Sequence, residues 1–195
     1  MLFGDLMPST KQNDASAAVP PPPRVEVVLG DIARIACDAV VSSICPTLAT
    51  GGAVDRAVRR RGGPVITRQL ERIARERFPA GMPVTGCVAT GAGDLACRWL
   101  VHAAGPTWDG TVRANEELHA TYAGALQTAA DLGAASVAVP ALCVGGSRFP
   151  VAASADIALR VARTTTAPLL VVRFVLSDRY VYADFVRAFV GKTNE

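Results

Sequence analysis

The sequence predicts an α/β fold, a mixed or parallel sheet with helices on both faces. Short apolar runs of strand length alternate with segments of helical spacing. Two glycine-bearing loops, Gly51-Gly52 and Gly145-Gly146, each follow an apolar strand and precede a helix. Half of the 195 residues are hydrophobic, enough to build a sizeable core in one domain without staples.

Each element has a local reason. Residues 1–23 are small and polar and end in Pro20–Pro23, a stiff run that cannot join a sheet interior, so they are expected to be a disordered tail. The folded domain, 24–195, opens with a strand at Val25–Leu29 and a buried strand at Ala39–Ile44. A helix is expected over Ala53–Arg61. Pro64 suits an early helix position, and Val65, Ile66, Leu70, Ile73 and Ala74 repeat with helical spacing up to Arg77. Strands follow at Cys87–Thr90 and Trp99–Ala104, then a long helix, Asn115–Leu132, ended by Gly133. Ser136–Leu142 reads as a buried strand, Pro150 opens a helix to Arg163, Leu169–Leu176 is the last strand and Asp178–Val190 the last helix.

Composition excludes several classes. The net charge is +3 and the pI about 8.7, and no stretch of about 20 apolar residues is present to span a membrane. The N-terminus lacks the basic, apolar and small-residue regions of a signal peptide. Five cysteines are scattered, with no C-x-x-C pair and two histidines beside them. That pattern disfavours structural zinc and suits free thiols in a reducing cytoplasm. No metal and no cofactor is expected. Of the 20 basic residues all but Lys11 and Lys192 are arginine, and eight crowd Arg56–Arg77. This segment reads as a solvated helix face, or as a patch for nucleic acid or a nucleotide polymer.

The glycine loops carry the functional signal. Glycine lets a backbone approach a ligand closely, and a helix N-terminus presents unpaired N–H groups and a positive dipole end. Gly51-Gly52 precedes a helix start and Asp55 follows at once, so the chain offers a diphosphate site with a carboxylate beside it. Ligands of open α/β sheets sit outside the carboxyl ends of the strands. A phosphate-bearing, nucleotide-like ligand is therefore expected in one cleft.

Four segments, in this order and spacing, resemble the macro domain family over roughly residues 24–190. They are Gly30-Asp31-Ile32, Gly51-Gly52-Ala53-Val54-Asp55, the run Leu100–Trp108, and Val139-Pro140-Ala141 leading to Gly145 and Pro150. The resemblance implies a three-layer α/β/α sandwich with a mixed, mostly parallel central sheet, and a cleft for ADP-ribose. Asp31 resembles the aspartate that accepts from the adenine amino group, with a turn or helix-cap role as the plain alternative. Ile32 would line the adenine pocket. Gly51, Gly52, Ala53 and Val54 resemble the first phosphate and ribose loop. Gly145, Gly146, Ser147, Arg148 and Phe149 resemble the second. Asp55 falls where hydrolytic members hold a water-positioning aspartate, and it equally suits a helix first turn. His102 reads as a core histidine satisfied by backbone, and Trp99 and Trp108 as packing residues.

Three departures weaken that likeness. The family's Asn-Ala-Ala-Asn-like tetrad is Ser42-Ser43-Ile44-Cys45 here, and a thiol cannot replace an amide as a ribose clamp. Cys143-Val144 replace a polar pair, and Gly146-Ser147 replace a bulky cover. Ser177 stands where an aromatic often stacks on adenine. The chain is expected to be a monomeric divergent member that binds ADP-ribose, a related nucleotide or an ADP-ribosylated protein, with weak or no hydrolysis. An ADP-ribosyl hydrolase or O-acetyl-ADP-ribose deacetylase using Asp55 is one alternative. A non-enzymatic module gripping a protein, nucleic acid or poly-ADP-ribose through Arg56–Arg77 is the other. Thiol chemistry at Cys45 or Cys143 is disfavoured because no base is placed to activate either.

Overall fold

The computed structural model describes residues 20–49 and 51–191. The expected tail lies outside the described residues up to position 19, and the coil Pro20–Pro23 leads into the first strand. In chain order the elements are β1 (Arg24–Leu29), β2 (Ala39–Ser43), α1 (Ala53–Gly62), α2 (Pro64–Arg77), β3 (Cys87–Gly91) and β4 (Trp99–Ala103), then α3 (Val112–Asp131), β5 (Ser136–Val139), α4 (Val151–Thr164), β6 (Val171–Leu176) and α5 (Arg179–Gly191). A 3-10 turn, Ile32–Arg34, follows β1.

The strands form one sheet in the order β1-β6-β5-β2-β4-β3. Every pairing is parallel except β3 with β4. Alternation along each strand divides the core in two. Val41, Val101, Val137, Val139 and Phe174 face α3, α4 and α5, meeting Leu118, Tyr122, Leu159 and Phe185. Val40, Leu100, Ala138 and Val175 face the other way, against Val58 of α1 and Ile66 and Leu70 of α2. The expected three-layer sandwich is what forms. Among the described residues no helix is long and apolar enough to cross a membrane.

Three boundaries differ from expectation by two residues or more, each for a polar reason. The strand expected over Ser136–Leu142 ends at Val139. Pro140 has no N–H for a ladder, and the Leu142 N–H instead donates to Tyr122 Oη at 2.7 Å. Helix α3 starts a turn early because Thr111 caps it, its Oγ1 accepting from Ala114 N at 3.2 Å. The last strand starts at Val171 rather than Leu169, where Leu170 and Val171 both donate to the Ala135 carbonyl. Asp178 sits outside α5 as its cap, accepting from Tyr180 N at 2.8 Å.

Candidate functional site

The carboxyl ends of β1, β5 and β6 and the N-terminus of α1 enclose a cleft of about 370 Å3. Gly30, Asp31 and Ile32 come from the turn after β1, and Ala53, Val54 and Ala57 from α1. Pro140, Ala141 and Val144 come from the chain after β5, while Val175, Leu176, Ser177, Asp178 and Val181 close the far wall. Asp31, Ile32, Ala53, Val54 and Ser177, distant in sequence, are thereby brought together. The lining is mostly apolar with a few polar groups at its ends, the usual make-up of a small-molecule site.

Asp31 stands at one end and also caps the 3-10 turn. Its Oδ1 accepts from Ala33 N at 3.0 Å, and its Oδ2 lies 3.3 Å from Nε of Arg34. Its side chain remains half exposed at the rim, so an acceptor edge is still open to a ligand. At the other end, the first turn of α1 leaves N–H groups without intrahelical partners. Gly52 is the N-cap, with no side-chain cap bond and nothing within 4 Å of where a Cβ would stand. Gly51 is the opposite case, packed on the Ser43 carbonyl and the Asp55 side chain.

Asp55 does not project into the cleft. Its side chain is 1% exposed. Oδ2 accepts from the Gly51 N–H at 2.9 Å, and Oδ1 accepts from Ser42 Oγ at 3.4 Å. Arg59 Nε lies 2.8 Å from Oδ2 in an i,i+4 ion pair, although its N–H is not aimed at the oxygen and makes no hydrogen bond. The plain role, a first-turn aspartate at a helix N-terminus, is realised and extended. Ser42 is buried beneath this pair. Arg59 is thus removed from the expected basic patch, whereas Arg68, Arg72 and Arg75 stay exposed on α2 at i, i+4 and i+7.

His102 lies under the same region. It is fully buried with Nε2 3.0 Å from Thr90 Oγ1, so its partner is a side chain rather than the expected backbone, and Nδ1 has none. Burial, aided by the Arg59 charge, pushes its pKa down to about 3, so the ring is neutral.

The second loop is only partly at the cleft. Val144 lines it, while Phe149 is buried in the core with its ring 4.6 Å from Trp108. Phe149 is held away from the cleft because an apolar ring next to Trp108 gains more from burial than from the rim. Trp108 packs there as expected, and Trp99 packs on the same core. Cys143 is buried at φ +64, its thiol pushed up to about 11 by burial. Gly145 and Gly146 have open space on the Cβ side, Ser147 accepts from Trp108 N through its carbonyl at 2.8 Å, and Arg148 is exposed at φ +57. Cys45 is exposed, and the five cysteines are free thiols. Val175 and Val181 line the cleft without having been expected there, whereas Val144 was expected in the second loop. The end of the last strand at Leu176 and the helix following Ser177 were the signals that could have found Val175 and Val181.

Comparison with known proteins agrees with this architecture. The Macro domain family matches residues 41–158. A macro domain-containing protein of Streptomyces nogalater is 41% identical over 163 residues, covering 84% of this chain and 90% of its own length. The O-acetyl-ADP-ribose deacetylase of Escherichia fergusonii is 36% identical over 138 residues, 70% of this chain and 77% of its own. A mutant Oceanobacillus iheyensis macrodomain with ADPR superposes with a TM-score of 0.82 at 22% identity, covering 88% of this chain and 94% of that one. The sheet order, the cleft at the strand ends and these relatives agree: the chain belongs to the macro domain family.

Proposed function

We propose that the cleft binds ADP-ribose, free or attached to protein, or a related nucleotide, and that it hydrolyses it weakly or not at all. One observation carries the second half: the Asp55 carboxylate is buried and already held by Gly51 N and Arg59. A carboxylate so committed is not free to position water. The binding half draws on the cleft itself. Asp31 offers an acceptor at one rim, apolar walls from Ile32, Val175 and Val181 suit a base, and the α1 N-terminus suits phosphate. The ADPR in the Oceanobacillus iheyensis relative supports the same ligand. In this reading Ala53, Val54, Gly51, Gly52, Gly145, Gly146, Ser147 and Arg148 border the diphosphate and distal ribose, and Ser42 and Cys45 stand behind them without an amide clamp.

Calorimetric titration of the full chain with ADP-ribose, and with AMP as control, tests it. Micromolar binding, about tenfold or more tighter than AMP, is the expected result. No heat at millimolar ADP-ribose refutes the ligand.

The similarity to an O-acetyl-ADP-ribose deacetylase favours a second reading, an active hydrolase. It requires turnover of O-acetyl-ADP-ribose or loss of label from an ADP-ribosylated protein, abolished by Asp55→Ala. Equal signals in wild type and variant remove Asp55 from any mechanism.

A further inference from the structure

We infer that Arg59 sets the preference of this cleft for ADP-ribose over AMP, by locking the loop between β2 and α1 through Asp55. The inference rests on the ADP-ribose reading above.

Of the eight arginines in Arg56–Arg77, Arg59 is the one whose side chain turns inward, 12% exposed. It reaches the middle of the loop and, through Asp55, its end next to α1. Nη2 donates to the Leu48 carbonyl at 3.3 Å. The Nε end pairs with Asp55, and Asp55 in turn accepts from Gly51 N. Leu48 and Gly51 are thereby tied to a single turn of α1.

The loop needs such a tie. Leu48 sits at φ +62, a left-handed conformation that leucine keeps only where its surroundings over-determine it. On the side toward α2, Thr47, Leu48 and Ala49 border a wide depression of about 750 Å3. The Leu48 side chain is buried in the core there, while Thr47 and Ala49 on either side of it are exposed.

The two halves of the cleft depend on this lock unequally. The rim at Asp31 and Ser177 is built from β1, β6 and α5. AMP, a base with one phosphate, is satisfied by that half. ADP-ribose is longer by a phosphate and a sugar, so it must continue past Ala53 and Val54 onto the loop. Loosening the loop therefore penalises the longer ligand alone. Lysine at position 59 would restore the charge beside Asp55, but without the guanidinium fork that reaches Asp55 and the Leu48 carbonyl from separate nitrogens.

Full-length Arg59→Met, Arg59→Lys and Asp55→Asn are titrated with both ligands, and backbone hydrogen exchange is followed across residues 45–52. Arg59→Met is expected to weaken ADP-ribose about tenfold or more while AMP stays within about twofold. Exchange in the loop should accelerate, and Arg59→Lys should recover part of the loss. Equal losses for the two ligands, or ADP-ribose binding and loop exchange both unchanged, overturn the inference. If Arg59→Met does not fold, Arg59→Lys and Asp55→Asn carry the same comparison. If the wild type binds neither ligand, the ADP-ribose reading falls by itself, and loop exchange alone decides whether Arg59 is the lock.

Discussion

Gly51 and Gly52 are neighbours with opposite surroundings, and a methyl group placed on each should act in opposite ways. At Gly51 the new Cβ would stand 2.6 Å from Asp55 Cβ and against the Ser43 carbonyl oxygen. Neither can swing aside: Ser43 ends β2, and Asp55 is clamped by Arg59. Overpacking of this kind costs about 1–3 kcal/mol. In a domain of this size each kcal/mol lowers the melting temperature by about 2–4 °C, so Gly51→Ala should melt about 2–12 °C lower. At Gly52 nothing lies within 4 Å and φ is −72°, open to any residue. The change there loses some N-cap preference but restricts the unfolded chain, leaving stability within about 0.5 kcal/mol. Thermal unfolding of both variants, followed by calorimetric titration, is the assay. Gly52→Ala should keep its melting point yet weaken ADP-ribose, because its open face is where the proposed ligand's phosphate would approach. Melting of Gly51→Ala with the wild type, or a Gly52→Ala less stable than Gly51→Ala, refutes this steric difference between the two glycines.

Other consequences follow from the buried polar groups. Asp55→Ala leaves the Arg59 charge unpaired and the Gly51 N–H unanswered, so a denaturant melt should show a loss of about 3–5 kcal/mol; adding Arg59→Met should restore part of it. His102 is held at a pKa of about 3 against 6.5 for the free side chain. Between those values the unfolded state takes up a proton that the folded state refuses. Stability should therefore fall on acidification by up to about 1.4 kcal/mol per pH unit beyond the carboxylate contribution, and His102→Leu should flatten that extra slope. Ser154 Oγ donates to the Leu142 carbonyl at 3.1 Å, so the Tyr122 hydroxyl donates to Ser154 and accepts from Leu142 N. Tyr122→Phe breaks this closed triangle at the entry to the second loop and should cost about 1–3 kcal/mol by chemical denaturation.

The sequence by itself determined the elements and their sides. Helix α2 runs over Pro64–Arg77 as its spacing and its early proline require, and Val40 and Val41 fall on opposite faces because a strand has a period of two. Those signals are local, carried by neighbours a few residues apart. The order of the glycine loops was legible in the same way, and with it the family. Where individual side chains went was decided only by the tertiary structure. Asp55 reads equally as a cleft carboxylate or a helix-turn carboxylate, and the choice fell to Ser42, Gly51 and Arg59 closing around it. Phe149 reads as part of a ligand loop until Trp108 offers it a buried face. Arg59 looks like its seven arginine neighbours until the carbonyl of Leu48 comes within reach. Spacing cannot decide such cases, because a polar or aromatic side chain goes to whichever partner relieves its desolvation or buries its ring best, and folding alone decides which partners lie within a few ångströms.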